Sequence, residues 1–228
     1  MDAAKLAILD AMGVTAWVTR GTPPPASNAP GSADAPAGLD WSALEDAVRA
    51  CRKCGLCESR TQTVFGTGDR RARLMVIGEA PGAEEDRQGE PFVGRAGQLL
   101  NAMLAAAGFA RGEVFIANVL KCRPPHNRDP SNEESAQCLP YLRRQIELVQ
   151  PEVILCVGRI AAQRLLGRDE PLARMRGRVH EAAGRPVVVT YHPAYLLRSP
   201  GEKRKAWSDL KFALGVLERA GRDRGARA

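Results

Sequence analysis

No stretch of the 228 residues holds 18 or more consecutive apolar side chains, so no membrane-spanning helix is expected. No basic leader precedes the first apolar segment, which Asp2 and Asp10 flank, so the chain is expected to stay in the cytoplasm. The Gly-Lys-Ser/Thr of phosphate-cradling loops is missing, and so is the Gly-x-Gly-x-x-Gly of dinucleotide-binding folds. Histidine is scarce: His126, His180 and His192 are the only three, and the first two are read as structural.

What is present describes a globular protein. Hydrophobic residues make up 44% and charged residues 26%, which excludes disorder throughout. The net charge of +7 suits a polyanionic partner and a solvated basic surface equally well.

Composition divides the chain. Residues 1–21 form an amphipathic segment with Ala4, Leu6, Ile8, Leu9 and Met12 on one helical face. It suits either packing on the main domain or binding a protein partner. Residues 22–40 carry five prolines and read as a flexible linker. The domain is expected over 41–220, with a basic tail at 221–228.

Within the domain, short apolar strands alternate with helices. Leu74–Ile77, Val114–Ala117 and Val153–Val157 read as strands, ending at Gly78, Asn118 and Gly158. A hairpin-like pair, Arg178–Ala182 and Pro186–Tyr191, turns around Gly184. Helices are expected from Ser42 (with Glu45 as its capping-box partner), over Ala96–Ala107, from Asn132 to Pro151 with Pro140 as a kink or restart, and over Lys203–Ala220. Such runs predict an α/β fold, a three-layer α/β/α sandwich around a central, mainly parallel, four-stranded sheet. Ligands of such sheets bind at the carboxyl edge of the strands. Glu79, Asn118 and His192 all sit there, far apart in sequence.

Six cysteines are present: Cys51, Cys54, Cys57, Cys122, Cys138 and Cys156. In a reducing compartment they do not form a disulfide framework. The Cys51-x2-Cys54-x2-Cys57 spacing favours a metal or an iron–sulfur cluster. Cys156, inside an apolar strand, reads as a small core residue.

Three loops carry the remaining signal. Gly78-Glu79-Ala80-Pro81-Gly82 is a tight turn after a strand. Pro91-Phe92-Val93-Gly94 puts an aromatic ring in a loop, where it either stacks on a flat ligand or plugs the core. His192-Pro193-Ala194-Tyr195-Leu196-Leu197-Arg198 holds a histidine rigidly at a strand end, and its Leu196-Leu197-Arg198 is expected as an exposed tip. An apolar tip with a cation beside it can fill a vacated base stack and meet a phosphate.

Together with Asn118-Val119-Leu120-Lys121-Cys122-Arg123-Pro124-Pro125, these motifs make the chain resemble the family 4 uracil-DNA glycosylases, from about Ala47 to Leu214. The resemblance implies a monomeric enzyme acting on uracil-containing DNA, which flips uracil out and hydrolyses its N-glycosidic bond. It implies a [4Fe–4S] cluster on Cys51, Cys54, Cys122 and Cys138, leaving Cys57 extra. Zinc is the other metal that four thiolates suit. It further implies that His192 hydrogen-bonds the uracil O2, that Asn118 reads the uracil edge and that Phe92 stacks on the base. Glu85 is implied as a pocket residue near the base. Related families carry Asp or Asn where Ala80 stands; Ala80 activates no water, so that role passes to Glu79. Two rivals belong to other classes. A non-enzymatic iron–sulfur DNA-binding or redox-sensing module explains the cysteines and charge but leaves His192 and Asn118 idle. A uracil-trapping relative that bonds covalently through a loop histidine would use His126, but 123–131 lacks the long basic insertion.

The linker separates residues 1–39 from every motif, so their removal is expected to leave uracil release by the purified domain within about twofold. A large loss with the domain still folded would make the N-terminal segment part of the catalytic unit.

Overall fold

The computed structural model describes residues 36–225, with side chains through Arg222. The segment 1–21 and most of the linker lie outside the described residues, as do residues 226–228. Residues 1–35 and 36–228 form two units, and the described strands and helices all belong to the second.

Six strands make one sheet: β1 (Thr67–Gly68), β2 (Leu74–Gly78), β3 (Phe115–Asn118), β4 (Val153–Val157), β5 (Val179–Ala182) and β6 (Arg185–Thr190). Their spatial order is β1-β3-β2-β4-β6-β5. The four central strands β3, β2, β4 and β6 pair in parallel, and β1 and β5 close the edges antiparallel. The expectation of four strands is therefore corrected to six. The two-residue β1 carries no apolar period that a sequence could reveal, and β5 alternates between exposed and covered positions as an edge does.

The helices are α1 (Trp41–Arg49), α2 (Leu56–Ser59), α3 (Ala83–Gln88), α4 (Arg95–Ala106), α5 (Asn132–Val149), α6 (Arg159–Leu166), α7 (Leu172–Met175), α8 (Pro193–Arg198) and α9 (Lys203–Gly225). Alternate residues of each central strand face opposite layers. Met75, Ile77, Ile154, Cys156, Val187 and Val189 pack with α5, α6 and α7. Leu74, Val76, Val153, Leu155 and Val188 pack with α4 and α9. Burial on both faces explains why these strands read as unbroken apolar runs. A third cluster joins Leu44 and Val48 of α1 to Leu56, Leu120, Cys122, Cys138 and Tyr141.

Three local expectations change, while the start of α5 at Asn132 holds. Helix α1 is capped by Asp40, whose carboxylate accepts from Ala43 N at 2.9 Å, so Ser42 lies inside the first turn. Ser131 caps α5 in a capping box with Glu134, and Asn132 is the first helical residue. Pro140 neither breaks nor restarts α5, which runs through 18 residues. The carbonyl it strands is that of Ala136, and both residues are exposed, so water replaces the missing bond. Helix α9 continues to Gly225, beyond the expected end at Ala220.

Candidate functional site

The parallel register decides which side chains meet. Gly78 pairs with Asn118, and pairing continues past both strands as Val119 N donates to Gly78 O (2.9 Å) and Leu120 N to Glu79 O (3.0 Å). On the other side, Gly158 N donates to Thr190 O (2.9 Å), which sets His192 beside the end of β4. The result is a cavity of about 420 Å³ whose lining includes Glu79, Ala80, Glu85, Phe92, Asn118 and His192. All six were expected near the base. Asn127, Asp129 and Tyr195 also line it and had no signal in the sequence beyond their neighbours.

Asn118 is 2% exposed, and its Oδ1 is buried without a hydrogen-bond partner among the described residues. Leaving such an acceptor empty costs about 1–3 kcal/mol, so a donor entering the cavity, from a ligand or a water, is stabilised there. Gly78 makes room for it: a Cβ there would stand 2.4 Å from Asn118 Oδ1 and 2.6 Å from Phe92 Cζ. Phe92 itself is both core and wall. It is 6% exposed, packs in the cluster under α4, and stacks on His192 with ring centroids 5.7 Å apart. Its φ of 53° is strained for a non-glycine residue, and the surroundings hold it: a Cβ on Gly97 would lie 1.8 Å from Phe92 O.

His192 caps α8, with Nδ1 accepting from Ala194 N at 3.1 Å. An accepting Nδ1 carries no proton, so in the neutral ring the proton sits on Nε2. Burial, with Arg198 adding to it and Glu85 opposing, lowers the His192 pKa to about 4. The ring is therefore a neutral N–H donor at physiological pH. Glu79 moves the other way. Burial and the nearby Asp129 raise its carboxyl to about 7, against the pull of Arg159 and Arg164. Glu85 is fully engaged by backbone: it accepts from Gly82 N (3.1 Å), Val93 N (3.0 Å) and Gly94 N (3.0 Å). It lines the cavity and at the same time ties the two glycine loops together.

A second assembly lies beside β3. Cys51, Cys54, Cys57, Cys122 and Cys138 line one cavity with the apolar Val48, Leu56, Leu120 and Tyr141. Arg60 binds its rim, donating to Cys122 Sγ (2.9 Å), Cys51 O (2.9 Å) and Arg49 O (3.2 Å). Lys121 N donates to Cys138 Sγ at 3.2 Å. Burial raises Cys54 and Cys122 and pushes Cys138 up to about 12, so without a metal these are thiols. Among the described residues no three His, Cys, Asp or Glu side chains close on a position for one metal ion. The thiols ring a space rather than a point. Cys156 is buried in β4, and its pKa is raised by burial alone.

Lys121 joins the two assemblies. It is 1% exposed, and its Nζ donates to Asn118 O (2.9 Å) and Gln145 Oε1 (2.6 Å).

The expected exposed tip at Leu196-Leu197-Arg198 is corrected. These residues finish helix α8, and Leu196 is 1% exposed against the groove of Leu99, Met103 and Leu210. So placed, Leu196 packs into the protein rather than standing at the surface. Leu197 remains 37% exposed, and Arg198 lines the cavity. His180 is buried, with Nε2 against Met175 O at 2.7 Å, as a structural histidine should be. His126 is exposed and does not line the cavity.

The family model for the uracil DNA glycosylase superfamily matches residues 65–211. The type-4 uracil-DNA glycosylase of Archaeoglobus fulgidus is 46% identical, covering 74% of this chain and 90% of its own. That of Pyrobaculum aerophilum is 43% identical over 78% and 94%. That of Thermotoga maritima is 39% identical over 78% and 95%.

Proposed function

The chain belongs to the type-4 uracil-DNA glycosylases of the uracil DNA glycosylase superfamily and excises uracil from DNA in repair; we propose that it does so by stabilising departing uracil with His192 and Asn118 while Glu79 directs water. The observation that carries this reading is the empty acceptor of Asn118, buried at a strand end beside the Phe92 and His192 rings. Uracil presents an N3–H to such an acceptor. Cytosine presents a lone pair there, and two acceptors facing each other in a dry site repel. Phe92 then supplies the flat surface for the extruded base.

Breaking the N-glycosidic bond leaves positive charge on the sugar and negative charge on uracil. His192 Nε2–H is a donor for the O2 where that charge collects, and its neutrality spares the site a buried cation before the reaction. Glu79 acts ionised, orienting a water toward the sugar carbon or offsetting its charge. Ala80 offers no competing base, so most of the rate comes from stabilising the leaving group.

The thiol assembly fits a [4Fe–4S] cluster on Cys51, Cys54, Cys122 and Cys138. Support comes from the all-sulfur donor set, the apolar cavity and the N–H donors to sulfur from Arg60 and Lys121. Bound there, the cluster supplies thiolate–iron bonds that clamp the turn after α1, the loop after β3 and helix α5. Cys57 lines the same cavity as the unused fifth thiol.

Three outcomes are expected. Replacing Cys51, Cys54, Cys122 or Cys138 by Ala should remove the visible thiolate-to-iron absorption of anaerobically purified protein, while Cys57→Ala and Cys156→Ala keep it. Bleaching by Cys57→Ala but not Cys51→Ala would reassign the ligands. For the base, His192→Ala should slow single-turnover excision by about 10²–10³ with little change in DNA binding. Asn118→Asp should slow it too, and its deficit relative to wild type at the same pH should narrow at low pH as the new carboxyl takes a proton. Both variants remaining folded with near-normal rates would sink the assignment. Finally, the wild-type rate should rise with pH through about 7 as Glu79 ionises, and Glu79→Gln should flatten that rise and lose about 10²-fold. An unchanged pH profile in Glu79→Gln would remove Glu79 from the reaction.

A further inference from the structure

A glycosylase that extrudes a base leaves a gap in the helix, and something has to fill it. The leucine at position 196 cannot, being 1% exposed in the groove under α8. On the same short helix two large hydrophobic side chains are exposed, Tyr195 at 38% and Leu197 at 37%. Of these two, only Tyr195 lines the cavity that would hold the base, together with Ala194 and Arg198.

Tyr195 is also held from behind. Its ring stacks on that of Tyr191, with centroids 5.3 Å apart and planes 14° from parallel. Tyr191 in turn lies under the Arg176 guanidinium, 4.4 Å from the ring centroid, and shares a 3.2 Å hydrogen bond with it. Arg176 makes two bonds to Asp209 (2.6 and 3.0 Å), and Asp209, 4% exposed, accepts a third from Thr190 Oγ1 at 2.8 Å. The pillar Asp209–Arg176–Tyr191–Tyr195 thus rises from α9 and the end of β6 to the cavity mouth. A ring fixed this way has lost its rotamer freedom before DNA arrives, so little is lost on binding.

We propose that Tyr195 stacks on the DNA beside the extruded nucleotide, filling the gap in the duplex while Arg198 meets the adjoining phosphate. The proposal rests on the uracil-excision reading and adds to it the residue that keeps the duplex open. Aromatic rings suit any flanking base, because every base has a π-face. The pillar explains why Tyr191 and Arg176, neither of which lines the uracil cavity, are packed so tightly behind it.

The test compares wild type, Tyr195→Ala, Tyr195→Phe and Leu197→Ala in full-length, cluster-bearing protein. Single-turnover release is measured from single-stranded uracil DNA and from the matching duplex. In parallel, 2-aminopurine fluorescence is read next to a non-cleavable uracil analogue in the duplex. Tyr195→Ala should slow duplex excision about 10- to 100-fold and single-strand excision several-fold less, because a single strand has no duplex gap to fill. Tyr195→Phe should restore the duplex rate, and the 2-aminopurine signal should change in Tyr195→Ala alone. Equal losses on both substrates, not rescued by Phe, would make Tyr195 a mere prop and overturn the proposal. So would a duplex-specific loss in Leu197→Ala with Tyr195→Ala near normal. A wild type that released no uracil would refute the excision reading itself, while the fluorescence would still decide the stacking.

Discussion

The pairing of Gly78 with Asn118 at the end of β2 and β3 is the constraint on which the site depends. It brings an amide from one strand over the backbone of the next, and it works only because Gly78 has no Cβ to meet Asn118 Oδ1 or the Phe92 ring. A one-residue slip in register would turn Asn118 to the opposite layer of the sandwich. The same pairing carries Glu79 alongside Leu120, so that amide, carboxylate and ring share one strand edge. His192 reaches that edge from the far side of β4, where the bond between Gly158 N and Thr190 O holds the strand ends together.

From that pairing the structure extends in two directions. Lys121, three residues past Asn118, turns its ammonium inward to Asn118 O and Gln145 Oε1 and gives its backbone N–H to Cys138 Sγ. Burial lowers the pKa of the Lys121 ammonium to about 8, and its two hydrogen bonds to Asn118 O and Gln145 Oε1 offset part of that cost. On the other side, Asp86 accepts from Thr61 N, and Glu85 accepts from both glycine loops. The cavity wall is thereby tied to the thiol assembly at both ends of the loop system.

The electrostatics of the site rest on one cause, removal from water, acting on groups of opposite charge type. It lowers His192 to about 4 and raises Glu79 to about 7. Both shifts favour the neutral form, the histidine as an uncharged donor and the carboxyl as a group poised to ionise near working pH. The His192 tautomer is fixed by a helix cap rather than by a carboxylate, so no second charge has to be buried beside it.

By itself the sequence determined the parallel core, because strands buried on both faces must be apolar throughout, and each ends at a residue marked for chemistry: Gly78, Asn118, Gly158. Its spacing marked Cys51, Cys54 and Cys57 as a thiol set, Cys122 and Cys138 joined them only through the family resemblance, and Glu79, Asn118 and His192 stood out by their place after strands. Only tertiary structure decided the rest. Whether Leu196 or Tyr195 is exposed depends on which side of a six-residue helix meets α4, and no local pattern in so short a segment encodes that. The two-residue edge strand β1 exists through its partner β3 alone. The shifts of His192 and Glu79, and the empty acceptor of Asn118, come from burial by segments distant in sequence. A sequence names the groups; the dielectric and the missing partner that make them reactive arise when the fold closes around them.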